Sequence, residues 1–306
     1  MMTQLLNYQF DTDRVVEHLD TRGMFLLRNL VSKELVESLK LEGQNLYRKS
    51  PKFVKDTRAG DLAGSYRINI VPSRVQKYDE YNQISSIKRV IDHPRVRGLV
   101  DTALRSKSGV SNYIYDYSTI DAEKEKFGAD LFPLHYDWHE HRRCIKFYIY
   151  LNDIGVEQGA IRYIPYSHKL VRYLWRNETS ELQQIWDRGK EHDINSLENL
   201  LTTVSANVET NYPNSETIKL LQSITNDKEK SYDFAITGNP GDVLVFDENG
   251  IHGGGPIING HRYICRIHFV NRKFVNRRLP DQQSGIIRHL VSPLRLRIQS
   301  LLNLVL

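Results

Sequence analysis

Apolar positions along the chain change their spacing near residue 110. Before it, Gly23-Met24-Phe25-Leu26-Leu27-Arg28 is a continuous apolar run that predicts a buried strand. Leu35, Val36, Leu39 and Leu46 then recur at helical spacing, which predicts a helix from Lys33 to about Tyr47 with Ser32 as its cap. Residues 51–64 are polar and contain Gly60 and Gly64, the pattern of a mobile loop. Two further helices are expected over 84–91 and 95–106, with Pro94 opening the second.

After residue 110 the period becomes two. Ser111–Tyr117 alternates aromatic with other residues, and Cys144–Leu151 alternates in the same way. Gly159–Pro165, Asp242–Phe246 and Arg262–Val270 complete a set of short strands separated by turn residues. That arrangement predicts a mainly β sandwich or barrel with flanking helices. A polar, helical stretch over about 170–235 interrupts the strands and is expected to be a lid or an oligomer surface. Residues from about 280 to 306 are apolar with interspersed arginines, the pattern of a tail helix docked on the fold, on a partner subunit or on a membrane surface, and Pro293 splits it.

Composition narrows the class without changing this picture. The 306 residues are 40% hydrophobic and 26% charged, enough apolar content for a sizeable core and ordinary for a soluble globular chain. No apolar run reaches membrane-spanning length, and charge at Asp11, Asp13 and Arg14 interrupts the N-terminus before a signal core forms. Cys144 and Cys265 lie in strand-like runs, as expected of reduced core thiols in a cytoplasmic protein. The net charge of +5 comes largely from arginines beyond residue 271, with no helix-turn-helix, zinc-finger or RNP-like pattern beside them. It predicts a solvated basic face and no nucleic-acid partner.

The candidate chemistry is concentrated in Leu134-His135-Tyr136-Asp137-Trp138. His135 and Asp137 are two apart, so on an extended segment they share a face. His252 follows a predicted strand and opens Gly253-Gly254-Gly255-Pro256. Two histidines and one carboxylate form the facial triad that holds non-haem Fe(II) and leaves coordination positions open. Arg262, at the start of the next strand, offers a planar fork suited to a carboxylate, with Arg266 as its competitor. The glycines allow close approach of backbone and ligand to the metal.

His135-Tyr136-Asp137, Gly159–His168, Gly241–Phe246 and His252-Gly253-Gly254-Gly255-Pro256…Arg262 together resemble the phytanoyl-CoA dioxygenase family, over most of the chain from the Gly23–Arg28 strand to about Val270. The resemblance implies one dioxygenase domain spanning residues 1–306 with a double-stranded β-helix (jelly-roll, cupin-like) core. It implies Fe(II) held by His135, Asp137 and His252, and 2-oxoglutarate anchored by Arg262. O₂ would oxidise a C–H bond of a small substrate, most simply by hydroxylation, with release of succinate and CO₂. Asp137 argues against halogenation, because halogenating relatives carry a small residue there. Pro165-Tyr166-Ser167-His168 departs from the family's glycine-containing turn at Tyr166.

Further cofactor contacts are expected from Tyr148 or Tyr150 and from Tyr113 or Tyr115. Trp138, His139, Arg142 and Arg143, with Tyr66 and Arg67, are candidate substrate contacts whose positive charge favours an anionic group. By analogy with relatives, the substrate is expected to be a specialised metabolite. No integral membrane partner is expected, and a homo-oligomer would use the insertion or the tail. The alternative is a keto-acid-independent cupin-like metalloenzyme or binding protein, in which Arg262 has no special role.

Overall fold

The computed structural model describes residues 10–49, 61–62, 65–72, 84–119, 134–137, 143–177 and 215–275. The first elements are helix α1 (Thr12–Thr21), strand β1 (Met24–Leu27), helix α2 (Lys33–Lys49) and strands β2 (Asp61–Leu62) and β3 (Ser65–Ile70). Helices α3 (Ser86–Ile91) and α4 (Pro94–Leu104) precede strands β4 (Ser108–Thr119), β5 (Cys144–Tyr150) and β6 (Ile161–Tyr163). Helices α5 (Ser167–Asn177) and α6 (Ser215–Asn226) and a 3-10 turn (Lys228–Phe234) lead to β7 (Ala235–Ile236), β8 (Val243–Asp247), β9 (His252–Gly253), β10 (His261–Asn271) and a short α7 (Arg272–Val275).

The strands form a seven-stranded antiparallel sheet in the order β1-β8-β5-β10-β4-β3-β2, faced by a three-stranded sheet in the order β7-β6-β9. This is the jelly-roll core expected from the alternating pattern. On the large sheet, period two separates two sets of side chains. Phe147, Ile149, Val245, Tyr263, Cys265, Ile267 and Phe269 join Val15, Leu19, Leu35, Leu39, Val96 and Leu99 in a core covered by α1–α4. Tyr148, Tyr150, Leu244, Phe246 and Ile264 face the small sheet and pack on Ile161, Tyr163 and Ile236. Both faces are buried, so β5 is buried along its whole length.

Local chemistry sets the helix boundaries. Asp11 caps α1 through bonds from the Asp13 and Arg14 amides, and the Ser32 hydroxyl accepts from the Leu35 amide at the start of α2. Pro94 occupies the first turn of α4, where its missing N–H costs nothing. The two described ends of the insertion, α5 and α6, contribute Leu170, Val171, Ile218, Leu221 and Ile224 to a third apolar cluster that also holds Leu134 and Tyr136. The remainder of the insertion and the tail beyond Val275 lie outside the described residues, as does most of the 51–64 loop. Among the described residues no helix is long and apolar enough to cross a membrane.

Tyr166 keeps the turn that a glycine makes elsewhere in this motif. Its φ is +69°, the left-handed region, and its amide donates to the Arg22 carbonyl at 3.0 Å. Holding a tyrosine there costs on the order of 1–2 kcal/mol.

Candidate active site

His135 and His252 are brought together by backbone pairing. The two residues exchange both amide bonds, His135 N to His252 O at 2.8 Å and His252 N to His135 O at 2.7 Å. Their rings lie 4.8 Å apart between centroids. Two residues on, the Asp137 amide donates to the Glu248 carbonyl at 3.0 Å and holds the segment extended. Leu134 and Tyr136 alternate with the histidine and the aspartate and enter the insertion core. The insertion therefore buttresses the back of the H-x-D segment, while His135 and Asp137 face the interior.

Ligand atoms of His135, Asp137 and His252 all lie within 4.8 Å of one another, close enough to share one ion. His252 Nδ1 lies 2.8 Å from the Gly250 carbonyl, so that nitrogen carries the proton and donates. Nε2 is then the lone-pair nitrogen, and it lies 3.5 Å from Asp137 Oδ2. Burial lowers the His252 pKa and favours the neutral, ligating imidazole. Burial would raise the Asp137 carboxyl, but Lys146 and His252 outweigh it and keep the group anionic. Two imidazole nitrogens and one carboxylate oxygen, with the second ring nitrogen of His252 already fixed, fit a divalent iron of the facial-triad type.

Lys146 extends the site behind Asp137. Its ammonium lies 3.1 Å from Asp137 Oδ2 and also pairs closely with Glu248, whose Oε1 lies 2.8 Å from His268 Nδ1. Lys146, Glu248 and His268 are nearly inaccessible. Sequence reasoning misses all three. Lys146 and His268 carry a signal, however, as charged or polar interruptions at core-facing positions of apolar strands. Glu248 carries none, since it lies in the turn after β8.

Arg262 sits on the same interior face. It is 5% exposed, and its Nη1 donates to the Gly159 carbonyl at 2.8 Å and the Gly255 carbonyl at 3.3 Å. A Cβ at Gly159 would lie 2.8 Å from Arg262 Nη1, and one at Gly254 would lie 2.9 Å from it. These glycines thus make room for the guanidinium, and for Gly254 the sequence suggested room for the metal. Tyr148 shares this face and is paired in register with Arg266, and both arginines oppose the rise that burial causes in its phenol pKa. Tyr150 also faces inward, but its hydroxyl donates to the Ile236 carbonyl at 2.7 Å and ties β5 to the small sheet.

Several expected site residues are placed elsewhere. Tyr113 and Tyr66 lie in the helix-side core, because odd-numbered positions of β4 and even-numbered positions of β3 face the helices. Tyr115 follows Tyr113 and bonds to Glu42 on α2. Arg143 pairs with Asp247 at 3.0 Å and Asp20 at 2.6 Å and donates to the Ala103 carbonyl, a bracing role between α1, α4 and β8. Arg67 does face the interior, where it pairs with Asp116 at 2.6 Å. Trp138, His139 and Arg142 lie outside the described residues.

The phytanoyl-CoA dioxygenase (PhyH) family model matches residues 19–263, a span that includes both histidines, Asp137 and Arg262. The chain belongs to this family. Its PhyH fold is also seen in solved structures of low sequence identity. The non-heme alpha ketoglutarate dependent epimerase SnoN from nogalamycin biosynthesis is 13% identical with a TM-score of 0.52, covering 85% of this chain and 83% of that one. AviO1 from Streptomyces viridochromogenes Tue57 is 14% identical with a TM-score of 0.52, covering 87% and 97%. The carbocyclase SnoK, also from nogalamycin biosynthesis, is 12% identical with a TM-score of 0.51, covering 84% and 83%. No curated protein sequence matches the chain.

Proposed function

We propose that this PhyH-family chain is an Fe(II)- and 2-oxoglutarate-dependent oxygenase that oxidises a C–H bond of a small anionic substrate. The observation that carries the reading is the convergence of His135, Asp137 and His252 within 4.8 Å, with the His252 tautomer set for ligation. Iron with the keto acid and O₂ would supply the oxidising power, releasing succinate and CO₂. The protein's residues do the rest. Gly250 orients His252, Lys146 keeps Asp137 charged and turned inward, and Arg262 receives the remote carboxylate of the keto acid.

Hydroxylation is the simplest outcome of such an oxidation. The solved epimerase and carbocyclase of the same fold make redirection of the oxidised carbon the competing outcome, and substrate geometry chooses between them. Biosynthesis of a specialised metabolite is the fitting context, since SnoN and SnoK come from nogalamycin biosynthesis.

The test is anaerobic titration of metal-free protein with Fe(II) and then 2-oxoglutarate, followed by the visible iron-to-keto-acid charge-transfer band. The expected result is a band in the wild type, none in His135→Ala, and a requirement for roughly a hundredfold more keto acid in Arg262→Ala. A wild type without a band at saturating iron and keto acid would return the chain to the keto-acid-independent alternative.

A further inference from the structure

Among the described residues, one stretch of the interior wall carries more positive charge than its own carboxylate balances. Lys146 is matched by Asp137 and Glu248. Farther along the wall, Asp116 is the carboxylate shared among Arg67, Arg266 and Arg262. Burial would raise its pKa, but those three guanidiniums, Arg67 foremost, hold it well below the usual carboxylate range. Asp116 Oδ2 accepts from Arg67 Nε at 2.9 Å, from Arg67 Nη2 at 2.6 Å and from Arg266 Nη2 at 2.6 Å. Its Oδ1 accepts from Ser118 Oγ at 3.0 Å. With Arg262 assigned to the keto acid, Arg67 and Arg266 bring two positive charges to one negative charge.

The donors are likewise in excess. A guanidinium has five N–H groups. Among the described residues Arg67 directs two nitrogens and Arg266 one toward Asp116, and the buried Arg266 Nε has no hydrogen-bond partner. A purely structural ion pair would need one arginine here, yet the mostly buried Arg266 shares Asp116 with the partly exposed Arg67, and a desolvated guanidinium is favoured by a further anion. Exposure is graded along the cluster, with side-chain values of 4% for Asp116, 17% for Arg266 and 36% for Arg67. A ligand therefore has access from the β3 side. Arg266 stands opposite Tyr148 in the ladder, and Lys146, one step along the same face, touches Asp137. An anion held here lies on the wall that leads to the metal ligands.

We propose that Arg67 and Arg266, aligned by their shared bond to Asp116, bind one oxyanion group of the substrate, a carboxylate or a phosphate, and so orient it toward the metal. The site's purpose rests on the oxygenase reading, but its anion chemistry does not. Arg67 and Arg266 are then specificity-determining residues, and Asp116 sets their spacing while weakening their hold on the ligand.

The test is calorimetric titration of the full-length protein, loaded anaerobically with Fe(II) and 2-oxoglutarate, with inorganic phosphate and separately with acetate at constant ionic strength. One saturable site is expected, weakened roughly tenfold or more by Arg266→Met and by Arg67→Met. Asp116→Asn is expected to tighten it several-fold by removing the competing carboxylate, a gain that loss of structure does not produce. Arg67→Met, on the most exposed member, keeps the test valid if the buried variants fail to fold. Tighter phosphate binding assigns a phosphate-bearing substrate and tighter acetate binding a carboxylate, and either supports the site. Absence of saturable binding, or affinity unchanged in both methionine variants, overturns it. So does an Arg266→Met protein that loses the keto-acid band, because Arg266 would then be the keto-acid anchor. If the wild type gives no band, the oxygenase reading fails separately. The same phosphate titration on unloaded Arg262→Met protein then still reads the Arg67–Arg266 site.

Discussion

On β10, Tyr263, Cys265, Ile267 and Phe269 enter the helix-packed core, while Arg262, Arg266 and His268, at alternate positions, face the small sheet. Neighbouring strands repeat the division. Phe147 and Ile149 of β5 go one way and Lys146 and Tyr148 the other, and on β4 Tyr113 and Tyr115 oppose Asp116 and Ser118. The same backbone ladder thus serves two kinds of interior. The helix side gains stability from apolar area removed from water, about 25 cal/mol per Å². The inner side retains desolvated charges, each tolerable only with a partner or a ligand. The apolar face supplies the rigidity that lets the charged face stay preorganised.

The sharpest way to break the comparison is one truncation on each face. Phe147 is fully buried and packs edge-on against Phe269 at 5.2 Å between centroids. Phe147→Ala is expected to cost about 3–5 kcal/mol in urea unfolding, as a cavity in a close-packed core. Arg266→Met should stay within about 1 kcal/mol, because Asp116 keeps Arg67 and the methionine fills the volume. Equal losses from the two would mean that the charged face is as much a folding element as the apolar one.

The strands and most helices are readable from the sequence because their periodicity is local. Which face a strand presents is not. Tyr113 and Asp116 differ in parity, yet only the pairing of Ile264 with Asp116 and of Arg266 with Tyr148 shows which parity faces the metal. Alternation in one strand carries no cross-strand register, so sequence reasoning puts Tyr113 and Tyr66 on the wrong face. His135, Asp137 and His252 can be grouped as chemically compatible donors, but their meeting depends on a two-residue bridge across more than a hundred positions. Helix α1 gives little signal because only Val15 and Leu19 are buried in its ten residues. Arg143 reads as a rim cation, since nothing near it in sequence announces Asp20 or Asp247 as partners.

Lys146→Met probes the charged face from within. It deprives the inaccessible Glu248 and the neighbouring Asp137 of the ammonium they share, leaving His268 beside Glu248. The expected loss in metal-free protein is about 2–3 kcal/mol, below the ~3–5 kcal/mol of a fully buried pair because Asp137 retains some solvent. Redox-silent Mn(II) should recover part of that loss by supplying the missing positive charge to Asp137 and stabilising only the folded state. Thermal unfolding with and without Mn(II), in wild type and variant, gives the four values required. If the variant's deficit is the same in both conditions, Lys146 and the metal do not share Asp137.

The smallest expected effect separates a glycine that serves the site from one that does not. A Cβ on Gly254 would lie 2.9 Å from Arg262 Nη1, and that nitrogen is tethered to two carbonyls and cannot simply swing aside. Gly254→Ala should displace the guanidinium by a few tenths of an ångström and weaken 2-oxoglutarate about three- to tenfold, up to ~1.4 kcal/mol, with Fe(II) affinity unchanged. Gly98, on α4, has open space where a Cβ would stand, with no atom within 4 Å. Alanine there should stabilise the helix by up to about 1 kcal/mol without touching keto-acid affinity. Iron-loaded protein titrated with 2-oxoglutarate, alongside urea unfolding of the two variants, reads both quantities. Should Gly254→Ala bind the keto acid as the wild type does, the cradle of Gly159, Gly254 and Gly255 tolerates movement of Arg262. The charged face would then owe its geometry to the ladder alone, as the apolar face does.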